Sequence, residues 1–140
     1  MISHFRDMPD GKLYLLDLLA VDHPPWVILF TNDADLESAL TLDDLDEADF
    51  SGYARVHPTW PASSLTGGGD ASSLSPACVW THNGGPTANE VRGIALVNDA
   101  GGFGTRLIRC YKFPVPITMS TAGDNISRQV RLLQGQYPLA

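Results

Sequence analysis

From Trp26 to Leu133 the chain alternates short β-prone runs with Gly-, Pro-, Asn- and Asp-rich turns, and this punctuation most limits its fold. The pattern is sharpest near the end. Val91 to Val97 and Thr105 to Phe113 are β-rich runs joined by Asn98-Asp99-Ala100-Gly101-Gly102-Phe103-Gly104, which reads as a β-hairpin. In the second run Leu107, Arg109, Tyr111 and Phe113 fall on one face, and Arg106, Ile108, Cys110 and Lys112 on the other. Pro114 and Pro116 are expected to break that run. Ala122-Gly123-Asp124-Asn125 supplies a further turn before a last strand from Ile126 to Leu133.

Earlier segments extend the count. Trp26-Val27-Ile28-Leu29-Phe30 is a continuous apolar run, the mark of a strand covered on both faces. Tyr53 to His57 alternates and ends at Pro58, and Leu74 to Thr81 is β-like around Trp80. One helix is legible over about 11–21: Asp10 is placed to cap it, and Leu13, Leu16 and Ala20 share a face. Leu15, Leu18 and Leu19 widen its apolar stripe, as cover on more than one side requires. It ends before Pro24-Pro25. The expectation is a mostly β chain, an antiparallel β-sandwich or barrel with one N-terminal helix, forming a single domain over 1–140. Two long loops stand out, 31–50 (acidic) and 61–73 (rich in Ser and Gly), and loops of that length are functional or mobile.

Charge narrows the function classes. Residues 1–50 carry 12 acids and 2 bases, residues 51–140 carry 4 acids and 7 bases, and the net charge is −7. Phosphate backbones repel such a chain, so no direct nucleic-acid contact is expected. The asymmetry fits head-to-tail contacts between identical subunits. No apolar run reaches the length of a membrane span, and the first residues lack a secretory pattern, so assembly in a cytoplasm is expected. Cys78 and Cys110 lie too far apart for a metal or redox motif; each reads as a small buried residue of a strand, with a disulfide left open.

No residue pattern selects an enzyme. Asp33, Asp35, Glu37, Asp43, Asp44, Asp46, Glu47 and Asp49 crowd one stretch like the start of a calcium loop. Counted from Asp33, however, Ser38 stands where the calcium-loop pattern needs Gly, and Asp44 where it needs Glu. A solvated loop with a short helix from Leu42 to Ala48, capped by Thr41, is the preferred reading. His4, His23, His57 and His82 never fall at metal-ligand spacing, so neither metal nor cofactor is expected. Gly67-Gly68-Gly69 and Gly101-Gly102-Phe103-Gly104 lack the phosphate-loop form. Trp26, Trp60 and Trp80 are core or interface residues, or else a stacking platform for sugars.

Ile28-Leu29-Phe30-Thr31-Asn32-Asp33, followed by Leu45-Asp46-Glu47-Ala48-Asp49-Phe50-Ser51-Gly52-Tyr53-Ala54-Arg55 and then Trp60, resembles a group of small tailed-phage and prophage virion proteins. Their later elements compare with Val91 to Ala95, Phe113-Pro114 and Gly123-Asp124-Asn125-Ile126. The N-terminal Leu15 to Leu19 also fits, whereas 61–73 and the residues after Leu133 depart. The resemblance implies a virion structural protein and no catalytic residues. Its expected role is a capsid decoration (cement) protein bound to the major capsid protein, with a homotrimer favoured. A tail, baseplate or fibre-base subunit and a carbohydrate-binding module using Trp60 and Trp80 are the alternatives. Within the shared segment, Phe50 and Tyr53 can anchor the acidic loop, Gly52 permits a tight backbone, and Arg55 can pair with the acids before it.

Overall fold

The computed structural model describes residues 9–38, 40–67, 69–99 and 105–134. The chain is mostly β, with three antiparallel sheets and one short helix among the described residues. Within the span read above as one domain, the backbone gathers into two compact units. One holds Thr59–Pro76 with the segments up to Pro24 and from Gln129; the other holds Pro25–Pro58 and Ala77–Arg128.

The first unit contains α1 (Pro9–Asp17), prolonged by a π turn over Leu18–Asp22, and a sheet of β2 (Ser64–Leu65), β3 (Ala71–Leu74) and β8 (Arg131–Gln134) in that order. The helix already includes Asp10, which corrects the N-cap expected there. It buries Leu16 and Ala20, leaves Leu13, Leu18 and Leu19 half-buried, and exposes Tyr14 and Leu15. The stretch 61–73 is not a featureless loop. It is a small hairpin in which Ser64 pairs with Ser72 and Leu65 with Ala71. Polar side chains fix it: the Ser63 amide donates to Asp17 Oδ1 (2.8 Å), and Ser73 Oγ donates to the Pro61 carbonyl (2.7 Å).

The second unit holds the sheet β1 (Trp26–Phe30), β5 (Asn89–Val97) and β6 (Leu107–Met119), in that order, and a ribbon of β4 (Cys78–Thr81) with β7 (Asn125–Arg128). Val27, Ile28, Leu29 and Phe30 are all buried, as the continuous apolar run requires. β1 pairs with β5 from Trp26↔Val97 to Phe30↔Gly93. A Cβ on Gly93 would stand 2.3 Å from Phe30 Cζ, so the Phe30 ring occupies the space that only glycine leaves open.

Four further expectations are corrected here. β6 runs through Pro114 and Pro116 to Met119, because Phe113, Pro114, Val115 and Pro116 all lie opposite the single residue Arg92. Inside that bulge the prolines leave no ladder bond unmade, since no amide hydrogen is called for. A second irregularity at Ile108, between Leu96↔Arg109 and Val97↔Leu107, resets the alternation. Leu107 therefore packs beside Cys110 against the cluster of Ile28, Phe30, Ala34, Leu45, Ala95 and Val97. Tyr53 to His57 makes no strand, only one bridge from Val56 to Val27. The last strand divides at Gln129-Val130 into β7 and β8, which pair with β4 and β3 in separate units.

Candidate functional site

Residues of the segment from Glu47 to Val56 meet along the outer edge of β1. That edge offers backbone groups at alternate residues, and among the described residues no neighbouring strand of its own length takes them. The Val27 amide donates to the Val56 carbonyl at 2.7 Å, and the Val56 amide returns to the Val27 carbonyl at 3.0 Å. The Ala48 amide donates to the Leu29 carbonyl at 2.9 Å, and the Thr31 amide to the Asp46 carbonyl at 2.8 Å. Between these backbone contacts the Leu29 amide donates to the Tyr53 hydroxyl oxygen at 3.2 Å. A phenol thus fills the place of a missing strand carbonyl.

Glu47 holds that phenol. Tyr53 donates to Glu47 Oε2 at 2.7 Å, while Arg55 meets the same carboxylate with Nε (2.9 Å to Oε2) and Nη2 (2.7 Å to Oε1). The fork geometry matches guanidinium to carboxylate, and both side chains are largely withdrawn from solvent. Burial, then the bond to Glu47, pushes the Tyr53 phenol far above its ordinary range, so it remains a neutral donor. The Glu47 bond likewise raises the Arg55 guanidinium. Arg55 Nη1 also reaches the Asp99 carbonyl at 3.3 Å. Within this cluster each polar group is spent on another, which is the arrangement of a strut.

Phe50 is buried, edge-on to Tyr53 and stacked on His82. Gly52 takes φ 94° in the turn closed by the Tyr53 amide on the Phe50 carbonyl (2.9 Å), and a Cβ there would lie 2.9 Å from the Thr81 carbonyl oxygen. Phe50, Gly52, Tyr53 and Arg55 are thus gathered in one place. Trp60 is not; it belongs to the other unit and is buried there. Trp60 and Trp80 are only 4% and 2% exposed, and Trp80 Nε1 donates to the Ala54 carbonyl (3.0 Å). Neither offers an open ring face, which overturns the sugar-stacking platform built on them.

Other residues of the loop act in ways the sequence did not reveal. Asn32 clamps it from two sides: Nδ2 donates to the Asp44 carbonyl (2.8 Å), and Oδ1 accepts from the Asp46 amide (2.8 Å). Asp44 accepts from the Thr41 amide (2.7 Å), so Thr41 does open a helical turn, shortened to Leu42–Asp44. Asp35 accepts from the Glu37 amide and the Ser38 hydroxyl, and Asp49 accepts from Asn89 Nδ2. Asp33 pairs with Lys112, so part of the charge asymmetry is met inside the chain. Several acids of the stretch are thereby engaged one by one, and among the described residues no three of His, Cys, Asp and Glu gather as metal ligands would.

Beyond the strut, the Ser51 amide donates to the Thr87 carbonyl (3.0 Å), and its hydroxyl oxygen accepts from the Thr87 amide (2.9 Å). The Asn83 amide donates to the Ser51 carbonyl at 3.0 Å. A shallow groove of about 180 Å³ runs between Leu36, Leu40 and the strand residues Leu107, Ile108 and Cys110. Burial pushes the Cys110 thiol up, so it is a poor nucleophile there. Neither Cys78 nor Cys110 forms a disulfide among the described residues. No family model, curated protein or solved structure matches the chain.

Proposed function

We propose that the chain is a structural protein of a tailed-phage virion, a capsid decoration (cement) protein that assembles in the host cytoplasm as a homotrimer on the major capsid protein. The observation that carries this reading is the closed edge of β1. The segment from Leu29 to Arg55, which resembles phage virion proteins, caps one strand with Tyr53, Glu47 and Arg55. A subunit displayed in many copies on a shell stands at high local concentration, where an open strand edge pairs with its neighbours and aggregates. Closing that edge with side chains keeps the chain unpolymerised until it meets its partner. The acidic stretch 33–49 adds like-charge repulsion between free trimers.

The test adds purified protein to phage heads that lack it. A decoration protein binds DNA-filled heads and raises the temperature at which they rupture. Association with tails and not with heads would move the module to a tail or baseplate position, and binding to neither would overturn the virion reading. Light scattering after size exclusion should give a mass near three times 15.1 kDa.

A further inference from the structure

The Asn83-Gly84 pair, outside the edge-closing cluster, is surrounded by the parts of a small reaction centre. The Gly84 amide donates to His82 Nδ1 at 2.9 Å. His82 Nε2 lies 2.9 Å from the Thr87 carbonyl oxygen, which can only accept, so the ring proton sits on Nε2 and Nδ1 carries a free lone pair. Phe50 stacks on the imidazole, and the ring is 1% exposed, which fixes its direction. On the other side the Asn83 carboxamide oxygen accepts from the Gly85 amide at 2.9 Å. A base faces a backbone N–H, a carbonyl orients that base, and a donor polarises the neighbouring amide: these are the roles of an assisted acyl transfer. Asn83 itself is exposed, so a leaving group can depart and water can enter.

We propose that Asn83 is a site of self-catalysed covalent modification, in which the Gly84 backbone nitrogen attacks the Asn83 side-chain carbonyl with His82 as general base. His82 Nδ1 takes the Gly84 proton as the new C–N bond forms at Asn83 Cγ. The resulting oxyanion is held by the Gly85 amide. Collapse of the intermediate breaks the bond from Cγ to Nδ2, and the imidazolium returns its proton to the departing ammonia. The product is a cyclic imide, and one water then opens it at either carbonyl to give aspartate or isoaspartate. Glycine at 84 leaves its nitrogen unhindered, and its φ of 90° is one that few other residues adopt. The outcome is a negative charge, or an extra backbone methylene, in the turn that ties Asn83 to Ser51.

The experiment incubates the folded protein and the same chain in denaturant, in one buffer, and follows the peptide containing Asn83 by mass spectrometry. The folded chain should lose ammonia at Asn83 at least about a hundredfold faster than the denatured one, the low end of what a placed general base contributes. Asn98 and Asn125, read in the same digest, should show no such acceleration. His82→Gln, checked for retained fold by circular dichroism, should remove the difference; if that variant does not fold, the folded-to-denatured ratio alone decides. An equal or slower rate in the folded chain overturns the proposal. So does chain cleavage after Asn83, because that requires the side-chain nitrogen, not Gly84, to attack.

Discussion

The two long connections of this chain, 31–50 and 61–73, begin alike as stretches without a clear period, and they are ordered by opposite means. The second becomes a hairpin: Ser64 and Leu65 pair with Ser72 and Ala71, and the Ser63 and Ser73 bonds pin its ends. The first lacks such a ladder among its described residues and keeps only scattered backbone bonds, such as Thr31 to Asp46 and Ala48 to Leu29. Side chains replace it, with Tyr53 standing in for a strand, Glu47 and Arg55 fixing Tyr53, and Asn32 clasping the Asp44 to Asp46 backbone. A segment held by backbone tolerates changes of side chain, since the ladder survives them. A segment held by a few side chains fails when one of those is removed, because its partners are left buried and unsatisfied. Sensitivity to substitution should therefore be concentrated in the acidic loop and spread thinly in the hairpin.

The largest effect is expected from Glu47→Ala, which strands a guanidinium and a phenol that are both mostly buried. Loss of about 3 kcal/mol is expected in denaturant unfolding, toward the low end for a broken buried pair because the site is partly wet. Gly52→Ala comes next, at about 2 kcal/mol, since it must accept φ 94° and a contact with the Thr81 carbonyl. In the hairpin, Ser73→Ala removes the single bond to the Pro61 carbonyl and should cost about 1 kcal/mol. If Ser73→Ala proved as costly as Glu47→Ala, the contrast between the two connections would fail.

The smallest effect concerns acid. Asp33 is held below the ordinary carboxylate range, first by its hydrogen bond to Lys112 and then by that residue's charge. A carboxyl whose folded value is depressed adds stability above its unfolded value, and that stability is lost as pH falls through the folded one. The Asp33–Lys112 contact should thus persist at mildly acidic pH and loosen only below the usual carboxylate range. Asp33 is fully exposed, so its removal by Asp33→Asn should barely change the unfolding midpoint while abolishing the acid-dependent shift of the Lys112 ammonium signal in NMR.

Much of this fold can be read in the sequence where burial alone decides it. Trp26 to Phe30 is apolar without interruption, and a strand covered on both faces follows. The hairpin of β5 and β6 follows from its turn composition. Reading fails where one local irregularity changes the rule. The bulges opposite Arg92 and at Ile108 carry no residue signature, so the strand length beyond Pro114 and the face of Leu107 are misjudged. Tyr53 to His57 alternates as a strand does, yet alternation records which faces are covered, not which backbone groups pair. At the site, Arg55 and the acids before it are legible as opposite charges, but nothing in eight similar carboxylates marks Glu47 as the partner. His82 is hidden for another reason: its role depends on ring nitrogens meeting Gly84 and Thr87, and no spacing in the sequence encodes that. The tripeptide His82-Asn83-Gly84 is the one local signal that could have drawn notice.

The most direct measurement is amide hydrogen exchange at Leu29 in the native chain and in Tyr53→Phe. If the phenol closes the edge of β1, the Leu29 amide is protected in the native chain and exchanges markedly faster once the hydroxyl is gone. The Val27 amide, paired with the Val56 carbonyl, keeps its protection. Unchanged protection at Leu29 in Tyr53→Phe, or equal loss at Val27 and Leu29, would contradict the claim that one side chain completes this strand.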